Sequence, residues 1–182
     1  MNVTLKRVAW RASLLLPAIL LGSAALAGSV VRWPQGWEQR SALTPSSKAG
    51  ERFDGSNQLA LKIDQNGHIE AALNLTVLKI KTGDIPNLDD QTASMIATIR
   101  DGYTAKGLEA SCDAPQKTML GDVQARQTRC HARKDEADML VQEVVVAIGA
   151  RTVQSLSYTA QLARFQTYEA DFIAMRDSLR LD

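Results

Sequence analysis

Leu59, Leu61 and Ile63 alternate with polar residues, and beyond Asn66-Gly67 the alternation resumes with Ala71, Leu73, Leu75 and Val77. A period of two places such side chains on one face of a strand. Asn-Gly supplies the two positive-φ positions of a tight turn, so the pattern predicts a hairpin with a long return strand over residues 69–80. Leu78 and Ile80 change parity, which predicts a bulge near the strand's end. His68, beside the turn, is expected to face solvent.

From Asn87 the period changes. Asn87 reads as an N-cap, with Asp90 near capping-box spacing. Leu88, Met95, Ile96, Ile99 and Tyr103 then share one helical face, and Gly107 ends the segment. Short strands are predicted over residues 108–112 and 117–120. Residues 123–133 are less regular: Val123 and Ala125 share one parity, Cys130 and Ala132 the other, so a slip is expected near Gln127. Arg129, His131 and Arg133 share a parity and form a candidate basic stripe on the outer face. It reads as a contact for an anion or acidic partner, or as a solvated face relieved by Asp135, Glu136 and Asp138.

Within residues 140–148, Val144-Val145-Val146-Ala147-Ile148 is apolar on both parities, as in a central strand buried on both faces. Gly149-Ala150-Arg151 turns the chain into a strand over residues 153–159. Phe165, Tyr168, Phe172, Met175 and Leu179 then step by three or four residues, predicting a closing helix. Near the start, Trp33-Pro34-Gln35-Gly36-Trp37 sets two tryptophans around a turn. They anchor the chain onto a core or, as the functional alternative, offer Trp33 and Trp37 as an aromatic ligand platform. Residues 41–58 read mostly as loop. The elements amount to one α+β domain over residues 28–182: an antiparallel sheet of about five to seven strands packed with two helices. Strand order is not legible.

Residues 1–27 follow another logic. Lys6, Arg7 and Arg11 precede an apolar run over residues 12–26, and Ala25-Leu26-Ala27 is a small-x-small processing site. The run is shorter than the roughly 20 residues of a membrane span, so it reads as a signal peptide cleaved after Ala27. The expected address is the periplasm, with no membrane span left after processing. Processing removes three of the 21 basic residues and none of the 20 acidic ones, leaving a charge of about −2. This balance makes no electrostatic case for nucleic acid.

Two cysteines in an oxidising compartment favour a Cys112–Cys130 disulfide. A metal site from Cys112, Cys130 and His131 is disfavoured, because neighbours on a strand point to opposite faces. No metal or cofactor is expected. His68 and His131 are the chain's two histidines, and neither lies in a catalytic motif. G-x-S-x-G, H-E-x-x-H, P-loop and G-x-G-x-x-G patterns are all missing. Asp89-Asp90 sits at a helix start, where the macrodipole accounts for it.

The Trp33–Trp37 opening, Ser47-Lys48-Ala49-Gly50, the Asn66-Gly67 hairpin, the cysteine pair and the ending Ile173-Ala174-Met175-Arg176-Asp177-Ser178-Leu179 together carry a resemblance. They resemble an uncharacterised family of small exported Gram-negative proteins, a domain of unknown function. That resemblance spans nearly the whole mature chain and implies no activity, ligand or catalytic residue. More distantly, the order strands–helix–strands–helix is similar to the PsbP-like fold, which implies an α/β/α sandwich. Members of that superfamily are mostly accessory and binding proteins.

The expected function is therefore that of a non-catalytic periplasmic binding or accessory protein whose partner is another envelope protein. The alternative is a carrier of a small ligand or envelope lipid, with Trp33, Trp37 and Tyr158 as candidate lining. A hydrolase is the remaining class.

Overall fold

The computed structural model describes residues 31–41, 55–80, 86–135 and 137–180. The predicted signal peptide and the Ser47–Gly50 motif lie outside the described residues. After a turn at Gly36 (φ +78°), β1 (Glu38–Ser41) pairs with β2 (Gly55–Ile63), and β2 pairs with β3 (Ile69–Lys79) as the predicted hairpin. Gly67 supplies a positive φ of 84° at its tip. The Asp64 carboxylate closes the turn by accepting the backbone N–H groups of Asn66 and His68, both at 2.8 Å.

Helix α1 (Leu88–Thr104) starts where the Asn87 side chain accepts the N–H groups of Asp89 and Asp90, at 2.8 and 3.2 Å. Such a cap satisfies donors that have no partner within the helix. Beyond it come β4 (Glu109–Cys112), β5 (Gln116–Leu120), β6 (Val123–Lys134), β7 (Ala137–Ile148) and β8 (Thr152–Gln161). β8 runs directly into α2 (Leu162–Ser178).

All pairings are antiparallel, in the order β1-β2-β3-β8-β7-β6-β4, with β5 also on β6. Among the described residues the sheet thus has eight strands, and the one added to the expected range is β1. Its sequence, Glu-Gln-Arg-Ser, has no apolar alternation to announce it. It is a strand through backbone pairing alone. β2 likewise starts at Gly55, inside the stretch read mostly as loop.

The helices cover opposite faces. Under α2 lie Leu73, Leu75, Val145, Leu156 and Tyr158, packed with Phe165, Phe172, Met175 and Leu179. Under α1 lie Cys130, Ala132, Val144 and Val146, packed with Ile99 and Tyr103. The run Val144-Val145-Val146 is apolar on both parities because each parity meets a different helix. The architecture is an α/β/α sandwich.

The same fact corrects two expectations. β3 keeps an unbroken register with β8 from Ala71↔Ala160 to Lys79↔Thr152, so there is no bulge at Leu78–Ile80. Val77 belongs to the α2 core, whereas Leu78 lies opposite Val153, which packs on the α1 core. The hairpin's irregularity falls at Lys62/Ile63 instead. β6 also runs without a slip near Gln127: its register with β7 holds from Ala125↔Ala147 to Ala132↔Leu140 and shifts only at Ala132/Arg133. Ala125 faces α2 and Cys130 faces α1, so a change in parity records a change of partner rather than a break in the strand.

Candidate functional site

β4 and β5 add in succession to the same edge of β6, and between them Asp113, Ala114 and Pro115 leave the ladder. Pro115 has no N–H to offer a neighbouring strand. The break is clamped on one side by the Cys112–Cys130 disulfide, which joins directly opposed residues with Cα atoms 4.0 Å apart. Across it, the Asp113 N–H donates to the Arg129 carbonyl at 2.9 Å, and the Thr128 hydroxyl donates to the Asp113 carbonyl at 2.7 Å. A polar cleft of about 400 Å³ opens here, bordered by Asp113, Thr118, Gln127, Arg129, Glu143 and Arg176.

Arg129, Glu143 and Arg176 in this cleft are engaged with neighbouring side chains. Arg129 donates to Glu143 Oε2 through Nε (3.1 Å) and Nη2 (2.6 Å), and through Nη2 to Glu169 Oε1 at 2.7 Å. Its guanidinium lies 4.8 Å from the Phe165 ring centroid. Gln127 donates to the other oxygen of Glu143, while Arg176 donates to Gln127 Oε1 at 3.2 Å. The Glu143 side chain is only 5% exposed, so these partners supply the hydrogen bonds that water would otherwise give it. Burial disfavours the charge on Arg129, but the bonds and charges of Glu143 and Glu169 outweigh this and raise its pKa above the ordinary guanidinium value. Arg129 is a permanent cation that ties β6 and β7 to α2.

The predicted site residues fall in separate places. Trp37 is buried; its indole N–H donates to Asp171 at 2.8 Å and its ring meets Tyr168 edge-on at 5.9 Å. Trp33 is half-buried against the α2 core. The tryptophan turn thus anchors the chain start onto the core. Arg129 is on the α2 side of the sheet, paired with Glu143 and Glu169 and with 40% of its side chain exposed. His131 stands two residues along the same strand, between Ser111 and Val141. Arg133 is exposed beyond the register shift, opposite Glu109 and Asp138. Tyr158 is fully buried, stacked on Phe172 and tilted against Phe165, with its hydroxyl donating to the Phe165 carbonyl at 2.6 Å.

Sequence reasoning passed over Glu143, Gln127 and Arg176. Glu143 did leave a signal, as the one charge inside the apolar run of β7. Such a residue needs a buried partner. Gln127 and Arg176 left none, since they are brought together across 49 residues by the fold.

On the other face, α1, Pro115 and Arg126 enclose a groove of about 460 Å³ with an apolar floor. It adjoins a shallow depression of about 420 Å³ that includes Lys117, Met119 and Gln124 and shares Arg126. Arg126 donates through Nε to Asp89 at 2.7 Å. Among the described residues, no three metal-binding side chains converge and no helix is long and apolar enough to cross a membrane.

A family model described as "Domain of unknown function (DUF4946)" matches residues 28–181. The chain belongs to the DUF4946 family. No curated protein matches its sequence. Among solved structures, this DUF4946 domain is similar to cyanobacterial PsbP (CyanoP) from Synechocystis. The TM-score is 0.59 and the identity 12%, over 89% of this chain and 99% of that one. It also has a likeness to LpqN of Mycobacterium tuberculosis, a protein involved in cell envelope biogenesis. Here the TM-score is 0.43 and the identity 16%, over 84% and 82% of the two chains. The first similarity makes the DUF4946 domain PsbP-like in fold, and fold leaves function to the site.

Proposed function

We propose that this protein is an exported, non-catalytic accessory domain that works by binding another component of the bacterial envelope. The observation that carries this reading is how the polar cleft is furnished. Arg129, Glu143, Glu169, Gln127 and Arg176 form one network in which each charge is held by a neighbour. A general acid or base needs a proton equilibrium near the working pH. A cation whose pKa is raised further suits fixed charge and rigid shape instead. Rigid, preorganised surfaces suit recognition. The disulfide supports an oxidising address, and the segment over residues 1–27 supports export.

The test is a crosslinked pull-down of the full chain, tagged at its C-terminus, from the envelope of the cell that makes it. A near-stoichiometric protein partner is expected. Recovery of the protein alone, or turnover by the purified mature protein in a broad hydrolase screen, overturns the reading.

A further inference from the structure

The groove on the α1 face carries a chemistry distinct from that of the polar cleft. Lys117 lies opposite Arg126 and Met119 opposite Gln124 across the β5–β6 pair, so all four share one face of the sheet. α1 covers that face only in part. Along its border with the groove, Asp89, Ala93, Ile96 and Arg100 recur every three or four residues, which places them in one stripe. The stripe faces Pro115 and Arg126 across the groove, and the adjoining depression continues the surface to Met119, which is 45% exposed.

The floor is apolar, from Ala93, Ile96 and Ala97 on the helix to Pro115 on the edge loop. Ala93 and Ala97 lack bulk, so a partner backbone can come close there. The charged groups at the rim are Arg100, Arg126 and Lys117 against Asp89. Asp89 lies 2.7 Å from Arg126, so its charge is balanced by that arginine. Arg100 and Lys117 therefore leave the surface locally positive, in a mature chain whose overall balance is slightly acidic.

We infer that this groove docks an acidic amphipathic segment of a partner protein. The segment's apolar side chains sit on Ile96, Ala97 and Met119, and its carboxylates meet Arg100 and Lys117. An apolar face laid into a groove with charges at its rim is a recurrent way of holding a peptide. The concave floor between helix and sheet suits a peptide segment better than a bilayer, which is met by protruding apolar groups. This inference rests on the binding function proposed above and names the chemistry of the partner.

The experiment places a photocrosslinking residue at Ala97 of the full chain, in the cell that makes it. A second position at Ile173, exposed on α2, serves as the reference, and mass spectrometry identifies the crosslinked segment. The expected result is one protein attached at Ala97 but not at Ile173, through a segment that combines acidic and apolar residues. The double charge reversal Arg100→Glu with Lys117→Glu should lower the yield at least about tenfold, with an unchanged melting temperature. Adducts to lipid alone, equal yields at both positions, a segment without acidic residues, or indifference to the charge reversal would each overturn the inference. If the tagged protein still recovers a partner while Ala97 crosslinks nothing, the groove fails and the binding function stands. If neither finds a partner, both fail.

Discussion

Trp37 donates its indole N–H to Asp171 Oδ2 at 2.8 Å, joining residues 134 positions apart. The bond ties the described N-terminal segment to the middle of α2, and Lys62 reinforces it by donating to the Gly36 carbonyl at 3.1 Å. Around it, Tyr168 meets Trp37 edge-on and donates to Glu70, which also pairs with Arg164 at 3.0 Å. Trp37→Ala removes a buried aromatic body as well as the bond and should cost about 3–5 kcal/mol. Trp37→Phe keeps most of the packing and should cost about 1–2 kcal/mol, most of it the bond to a carboxylate. Urea denaturation of both variants checks the ratio; a Trp37→Phe variant as stable as the unaltered protein would mean that the indole N–H contributes nothing.

Cys112 and Cys130 are 18 residues apart in sequence. Closing a loop of that size stabilises the fold by about 3 kcal/mol in the chain-entropy model. Replacing both with Ala should therefore lower stability by about 2–4 kcal/mol. The loss should appear as a lower melting temperature, matched in the unaltered protein by adding reductant. Because the bridge borders the break between β4 and β5, amides of residues 109–118 should lose hydrogen-exchange protection first.

Gly121 turns β5 into β6 at a φ of +59°, and its N–H donates to the Arg176 carbonyl at 2.8 Å. A Cβ built there would stand 2.0 Å from the Leu179 carbonyl oxygen. Gly121→Ala thus meets both an unfavourable backbone region and a backbone clash with the end of α2. A loss of at least about 2 kcal/mol is expected. Gly67→Ala has a φ of +84° but nothing within 4 Å, so it should lose only about 1 kcal/mol. Parallel thermal melts of the two variants separate the clash from the conformational cost.

Arg129→Met leaves the nearly buried carboxylate of Glu143 without its main partner and should cost about 3 kcal/mol. Glu143→Leu combined with Arg129→Met should recover at least about 1 kcal/mol of that loss, since no charge is then left buried. A double-mutant cycle in urea measures the coupling. Simple additivity would show that the pair contributes no specific interaction.

All three tyrosines resist ionisation in the fold. Burial raises the pKa of Tyr103 and of Tyr158, with Glu169 adding to the effect on Tyr158, and the hydrogen bond to Glu70 raises that of Tyr168. Their ordinary value is 10.0. Below that pH the folded and unfolded chains are both protonated and the contribution to stability is intact. Above it the unfolded chain releases protons that the fold retains, so stability falls as pH rises towards the raised values. Urea midpoints from about pH 9 to pH 11 should decline, and ultraviolet titration should show phenolate forming later in the native protein than in denaturant. Coincident titrations would contradict this.

Much of the architecture is legible in residue order because it follows from local chemistry. Asn66-Gly67, Asn87 and Gly107 mark turn, cap and helix end through backbone preferences that need no distant partner. Val144-Val145-Val146 announces a strand covered on both faces, and the amphipathic stripe of α2 announces its core side. The fold class, an antiparallel sheet packed with two helices, follows from these, and the cysteine pair follows from there being two cysteines to join.

The remaining features depend on which segments meet. β1 has no apolar signal and exists through its pairing with β2. The parity changes in β3 and β6 looked like breaks, since residue order does not say that a second helix covers the opposite face. The Arg129–Glu143–Glu169 network and the groove between α1 and Arg126 gather residues from strands and helices far apart in the chain. Periodicity assigns a side chain to a face; the fold alone sets what lies across from it, and charge and shape complementarity are properties of that meeting.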